Sequence, residues 1–421
     1  GKIIIEVFAS DNLPPLYAAS YTEIKNLLVD YRSAAAGNLE IRYLDPKVNG
    51  ERISTLDIQP VQFNTVGEDQ LQIQQGYLAL AIMNEDESKK EKIDYIQNIN
   101  DLEYQITSFI SKIKSAAKPS VGFASGNGEK GLFTEYAYIQ QILASEYDMK
   151  TVYLKPASGT ADAKDETATS DLNLAQYNLL VISAPDENYD EASLKQINDY
   201  IKAGGNVIYL DDTLVIDPTT AAISPIQNAG KLLSSYGATI NADMVYDLQN
   251  NLPVSVTETV RTPYPFFVFA EKDVNAKDTI QFLPEGLVAP WAASLNLDSN
   301  WQWLYTTSQA GGKQTGAIDI NPQTSRPNQN LGYVPLVALR KTDNGGTLVI
   351  AGSSLIFEDR FAGPIQENAV LALALFENMA KGRGLSEIKA KNLMGSQFTY
   401  VDPKIKQIVN YGAPISTAVL L

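Results

Sequence analysis

An α/β fold in two domains is predicted by three features of this 421-residue sequence. Strands that are apolar along their whole length alternate with helices of 3.6-residue period, the pattern of a parallel sheet covered on both faces. The chain is longer than one ordinary core organises. Lys118-Pro119 interrupts it between a helix and a new strand, which places a domain boundary near residue 117.

The first domain, 1–117, opens with a strand rich in Ile and Val over 3–9. A helix follows with Tyr21, Ile24, Leu28 and Tyr31 on one stripe, then the strand "LEIRYLDP" (39–46). "LQIQQGYLALAIMNED" (71–86) reads as a hairpin and "EKIDYIQNI" (91–99) as a further strand. A helix over about 100–116 carries Leu102, Ile106, Phe109 and Ile113 inward.

The second domain, 118–382, opens with "SVGFASGNGEKG" (120–131), a strand running into a glycine-rich turn. Next come a helix with Leu132, Tyr136, Ile139 and Leu143 on one stripe, a strand at 150–155, and a loop at 157–172 without apolar periodicity. "YNLLVISAP" (177–185) is a buried strand, and "DEASLKQINDYIKAGG" (190–205) a helix with Leu194, Ile197 and Ile201 inward and Gly204-Gly205 as its C-cap. "NVIYLDD" (206–212) is a strand, and 226–247 gives a short helix and another strand. Residues 250–340, rich in Pro, Asn, Thr and aromatics, read as an irregular β-rich insertion. "GGTLVIAGSS" (345–354) then resumes the parallel pattern and a helix over 366–382 packs on the sheet. Residues 383–421 form a tail, and no internal repeat appears.

Composition narrows the chemistry. The net charge of −16 repels nucleic acid and anionic membrane surfaces. Without a single cysteine there is no disulfide, thiolate nucleophile or zinc-thiolate site, and the avoidance of cysteine suits an extracytoplasmic location. Without histidine the usual general base and most transition-metal sites are gone. Carboxylates, Lys, Tyr, Ser/Thr and hard metals on oxygen ligands remain. No cofactor or metal site is expected. No apolar run reaches the length of a membrane span. The abrupt start, "GKIIIEVFAS", and apolar end, "PISTAVLL", carry the expectation of a longer parent with a membrane helix beyond Leu421.

In an open α/β sheet, ligands bind beyond the carboxyl ends of the strands. The candidate binding residues are therefore Ser125, Gly126, Asn127, Gly128 and Glu129 after the first strand, Ser183 and Asp186 after another, and Asp211 and Asp212 after a third. The turn 126–129 has two readings, an anion-binding nest at a helix N-terminus or a tight turn that needs glycine for its dihedrals. Gly126, Gly128 and Gly131 match G-x-G-x-x-G, but no Walker A follows. Asp211-Asp212, with Asp217 beyond, reads as a carboxylate pair or as a turn and cap. Ser353-Ser354 reads as caps, since no histidine exists to activate a nucleophile. "TPYPFFVFAEKD" (262–273) reads as a ligand platform or as core.

Five stretches, taken in order, give a resemblance. They are the opening strand and helix ending in "IRYLDP", "KPSVGFASGNGEKG", "YNLLVISAPDENYDEASLKQINDYIKAGGNVIYLDD", "LLSSYGATINADMVYD", and "GTLVIAGSSLIFEDRF" with the helix after it. The chain resembles the GldG-like auxiliary component of ABC transporters. That resemblance implies a thioredoxin-like first domain and a second domain similar to class I glutamine amidotransferases. It further implies membrane helices flanking an extracytoplasmic region, and ABC permease and ATPase subunits as partners. Asn127 stands where the family usually has His, and the Cys and His that an amidotransferase needs are absent throughout. The expected function is therefore non-catalytic binding of a partner subunit, a substrate or an envelope component, with a glycan or peptide among the ligands to consider. The rival readings are a glycan hydrolase using Glu129 with Asp211 or Asp212, and a free solute-binding protein.

Overall fold

The computed structural model describes residues 2–66, 71–96, 99, 102–114, 117–154, 173–216, 223–226, 230–256, 260–276, 280–322, 324–325, 327, 331–380, 389–390 and 393. The expected loop 157–172, most of the tail 383–421, and Asp217 lie outside them. The chain divides into two compact units, Gly1–Ala117 and Lys118–Leu421.

In the first unit, β1 (Ile3–Ala9), α1 (Pro15–Ala34) and β2 (Leu39–Leu44) form a β-α-β opening in which β1 and β2 pair in parallel. Strand β1, apolar except for Glu6, lies inside a four-stranded sheet of order β2, β1, β5 (Leu78–Asn84), β6 (Lys90–Ile93), with β5 antiparallel to both neighbours. Ile3, Ile5 and Val7 pack on Ile24 and Leu28 of α1 and on Leu102 and Ile106 of α3 (Leu102–Lys114). Ile4 and Phe8 face the other way, toward Ile53 of the short helix α2 (Gly50–Thr55). Glu6 shares that second face, buried, and receives Arg52 Nε at 2.7 Å and Arg42 at 3.2 Å.

Residues 71–86 do not form the expected hairpin. The chain breaks at Gly76-Tyr77. Strand β4 (Leu71–Gly76) pairs with β3 (Val61–Val66) in a separate ribbon, whereas β5 enters the sheet. Two contacts enforce the break. Tyr77 N–H donates to Ser10 Oγ at 2.9 Å, and a Cβ on Gly76 would lie 2.9 Å from the Phe63 ring. The strand expected at 91–99 is the shorter β6.

The second unit is built on one ten-stranded sheet. Its parallel half runs, in order, through β8 (Asp148–Tyr153), β7 (Ser120–Ser125), β9 (Leu179–Ser183), β10 (Asn206–Leu210) and Thr347–Ala351. Both faces are covered. Val181, Ile208 and Val349 face α4 (Ala137–Leu143) and the helix Gln366–Met379. Leu180, Ile182, Val207 and Ile350 face α5 (Glu191–Lys202). Helix α5 is delimited by its sequence. Asp190 accepts Ser193 N–H at 2.7 Å as N-cap. At the other end Gly204 (φ +91°) donates to Ile201 O and Gly205 to Tyr200 O, which is a Schellman motif.

Two expectations need correction here. The insertion 250–340 is less irregular than expected and belongs to the main sheet. Its strands Arg261–Lys272, Gln302–Thr306 and Pro335–Lys341 extend the same sheet antiparallel from Thr347–Ala351, joined by Asn251–Ser255 and Gly286–Pro290. Its aromatics form core, because Tyr264, Phe266 and Phe267 are fully buried and leave no face for a ligand platform. The helix after the glycine turn begins only at Ala137. The preceding residues turn back instead, with Glu135 and Tyr136 N–H both donating to Gly131 O. Leu132 and Tyr136 are buried all the same.

Candidate functional site

Three strand ends meet at one edge of the parallel sheet. β7 leaves its sheet position at Ser125 and turns through Gly126 (φ +110°), Asn127 and Gly128 (φ +77°), dihedrals that favour glycine. The Asn127 carbonyl accepts the N–H groups of Asp186 and Glu187, both at 3.1 Å, and Lys130 N–H donates to Ser183 O at 3.0 Å. The turn after β7 is thereby tied to the turn after β9. Ala184, itself at φ +44°, donates to Leu210 O at 2.8 Å, and Asp211 N–H to Ala351 O at 3.1 Å, which continues the edge along the sheet.

The side chains form two neighbouring clusters. In the first, Glu129 accepts Tyr189 OH at 2.6 Å and Asn127 N–H at 2.6 Å, while Tyr209 OH donates to Asp211 Oδ2 at 3.2 Å. In the second, Lys130 Nζ lies between Asp212 Oδ2 (2.8 Å) and Glu358 Oε1. Asp212 also receives both the N–H (2.7 Å) and the Oγ–H of Ser354, and Glu358 receives Arg360 Nε at 2.6 Å. Tyr136, fully buried, donates to Ser354 O at 3.2 Å and shares a hydrogen bond with Ser183 Oγ. Ser353 Oγ donates to Pro290 O at 2.8 Å and is likewise fully buried.

All nine residues expected at this edge are placed along it. Asn127, Ser183 and Asp211 are buried, Ser125 and Glu129 half-buried, and Gly126, Gly128 and Asp186 exposed. Asp212 is not paired with Asp211 as a two-carboxylate site, because its oxygens serve Lys130 and Ser354. Lys130, Glu358, Tyr136, Tyr189 and Tyr209 were missed. Lys130 was visible inside the quoted turn as a cation next to Glu129. The partners of the others lie far away along the chain. Among the described residues, no group of three or more acidic side chains is placed to hold a metal ion. A groove of about 480 Å³ lies at the opposite, amino-terminal end of the same strands, lined by Tyr177, Asn178, Gln196, Tyr200 and Asn206 among others.

Burial pushes the phenols of Tyr136, Tyr189 and Tyr209 well above the ordinary tyrosine range. Glu129 adds to the effect at Tyr189 and Asp211 at Tyr209. The folded-state values lie above the unfolded value near 10. The stability these groups contribute is therefore complete below about pH 10 and is lost as the pH rises further. Each tyrosine is expected to remove about 1.4 kcal/mol of stability per pH unit above 10. Followed together up the alkaline range, the last part of the rise in tyrosinate absorbance, that of the buried phenols, should coincide with a cooperative loss of far-ultraviolet circular dichroism. Smooth titration of all tyrosines with the fold retained would contradict it.

Gly128 offers a local test. A Cβ there would sit 1.5 Å from Asp186 Oδ1 at a φ that side chains rarely adopt. Asp186 is exposed and can turn aside, so the left-handed backbone is the lasting cost. Gly128→Ala is expected to lose about 1–2 kcal/mol, and Asp186→Ala in the same chain should recover little of it. Denaturant unfolding of the single and double variants measures both.

Residues 118–352, more than half of the chain, match a protein family described as an ABC-type uncharacterized transport system. The chain belongs to this ABC transporter auxiliary family. Every residue of the edge except Ser353, Ser354, Glu358 and Arg360 lies within the matched span. Residues 1–83 match a domain family of unknown function. An uncharacterized protein of Borreliella burgdorferi is 22% identical over 411 residues, covering 90% of this chain and 77% of its own. Among solved structures, the N-terminal domain of mmIFT52 superposes with a TM-score of 0.45 at 16% identity, over 62% of this chain and 98% of its own. A cytoplasmic protein from Salmonella typhimurium gives 0.33 at 10% identity, over 61% and 98%. Among the described residues of this auxiliary protein, no helix is long and apolar enough to cross a membrane.

Proposed function

We propose that this chain is the extracytoplasmic, non-catalytic part of a membrane-anchored accessory protein that works with an ABC permease and ATPase, of the GldG-like kind. The observation that carries this reading is the family match over 118–352. Residue usage supports it, since neither Cys nor His is present to run amidotransferase or thiol chemistry. The order β2-β1-β5-β6, with β5 reversed, supports a thioredoxin-like first domain over 1–117. The five parallel strands support an amidotransferase-like second domain over 118–382. Fold alone assigns no activity. The strand-end edge around Ser125–Glu129, Ser183–Asp186 and Asp211-Asp212 is the proposed binding surface.

A photo-crosslinking residue placed at exposed Asp186 tests the surface in the native membrane. It is expected to capture a transporter subunit, while the same group at exposed Ala175, at the other end of the strands, captures none. Equal capture from both positions, or none from Asp186, would remove the edge from the proposal.

A further inference from the structure

The four-stranded sheet of the first unit has two unlike edges. β6 is short and carries Lys90 and Lys92, the residue type with which proteins blunt an edge. β2 is longer, holds neither Pro nor Gly, and has one charge of each sign, Glu40 and Arg42. Its main-chain orientation follows from the ladder. Ile3, whose register partner is Leu39, donates its N–H to Asn38 O at 2.9 Å. Parallel pairing then turns the even-numbered residues of β2 toward β1, and the N–H and C=O groups of Leu39, Ile41 and Tyr43 away from it. Among the described residues no strand pairs with that side. The side chains of Glu40 and Arg42 are 33% and 40% exposed, and Tyr43 is exposed as well. Glu40 accepts Arg42 Nε at 2.7 Å and Lys2 Nζ at 2.6 Å. Arg42 Nη1 reaches Glu6 at 3.2 Å, which leaves Nη2 without a partner among the described residues.

We propose that β2 pairs antiparallel with β2 of a second copy of this chain, about a two-fold axis at Ile41. Ile41 then faces the partner's Ile41, Leu39 the partner's Tyr43, and Glu40 the partner's Arg42. Each outward N–H meets an outward C=O, as antiparallel pairing requires. Each carboxylate gains a second guanidinium and meets no like charge. Registers centred on Glu40 or on Arg42 set like charges opposite each other, which disfavours them. The two-fold arrangement closes on itself, so it ends at a dimer, and it removes both exposed β2 edges. The net charge of −16 on each copy opposes association. Salt screens that repulsion beyond about 8 Å, whereas the facing Glu40–Arg42 pairs lie closer than this. The surface belongs to the first unit and does not depend on the strand-end edge of the second.

The chain contains no cysteine, so a single introduced thiol reports the geometry without interference. In the intact chain, Ile41→Cys brings two Cα atoms to about 5.5 Å, within disulfide range. Tyr43→Cys, at the more exposed position, places them about 14 Å apart, four residues along the strand and beyond that range. Mild oxidation is expected to give disulfide-linked dimer from Ile41→Cys about tenfold faster than from Tyr43→Cys, or more. Sedimentation equilibrium of the unmodified chain up to roughly 0.2 mM should show monomer and dimer in exchange. Glu40→Lys should weaken the dimer about tenfold, because the two-fold axis counts each altered pair twice. A chain that stays monomeric over this range would overturn the proposal. So would equal oxidation rates of the two thiols, a dimer indifferent to Glu40→Lys, or Ile41→Cys joined in native membranes to a different protein, which would assign the edge to another partner's strand. None of these results changes capture from Asp186, so failure here is distinguishable from failure of the accessory role.

Discussion

Asn368→Leu is expected to destabilise the second unit by about 4 kcal/mol, enough to leave little folded protein at 37 °C. Asn368 sits on the buried helix Gln366–Met379 with no exposed surface. Its Oδ1 accepts Val288 N–H at 2.9 Å, and its Nδ2 donates to the carbonyls of Val288 (2.9 Å) and Ile356 (3.0 Å). Strand Gly286–Pro290 pairs with Arg261–Lys272 along one side only. On its other side, at Val288, the amide of Asn368 replaces the neighbouring strand. Leucine fits the volume but strands one N–H and two carbonyls, each costing roughly 1–3 kcal/mol in a dry interior, and its apolar burial offsets only part of this. Asn368→Asp should be no better, since it supplies no donor and adds an unpaired charge. Denaturant unfolding measures the loss; a cost below about 1 kcal/mol would mean that water reaches Val288.

Lys130→Met is expected to cost about 3 kcal/mol at pH 7. The ammonium stands between Asp212 and Glu358, whose side chains are only 18% and 10% exposed. Removing it leaves two largely buried carboxylates facing each other with no cation between them, which penalises the folded state. Ser354 still serves Asp212 and Arg360 still serves Glu358, which limits the cost. Lys130→Arg keeps the charge and should lose far less. Unfolding free energies of the three proteins decide it. A loss as large in Lys130→Arg as in Lys130→Met would mean that the cation between the carboxylates is not what matters.

The sequence announces what is local and hides what is distant. The alternation of apolar strands with helices reveals the parallel half of the sheet, and Asp190 and Gly204-Gly205 delimit α5 because caps act over a few residues. The principle that ligands sit beyond strand ends brought nine named residues to one edge. Residues 71–86 misled because apolar alternation fixes a strand but not its partner, and Gly76 has its reason in Phe63 and Ser10. The β-rich insertion hid its place in the main sheet likewise, since Val337 pairs Ala351 across a turn while Arg261–Lys272 reaches back through several strands. Lys130 and Glu358 are separated by 228 residues, and Ser354 and Asp212 by 142, and no local pattern records such pairs. Asn368 left a trace, a polar residue in "NAVLALALF", which is a cue for a buried amide with backbone work to do.

The most direct measurement is mild-detergent purification of the full-length protein from its own membranes, with quantitative mass spectrometry of what accompanies it. An ABC permease and ATPase recovered in near-stoichiometric amounts is the predicted result. Recovery of the protein alone, with no transporter subunit even after cross-linking, would contradict the accessory role.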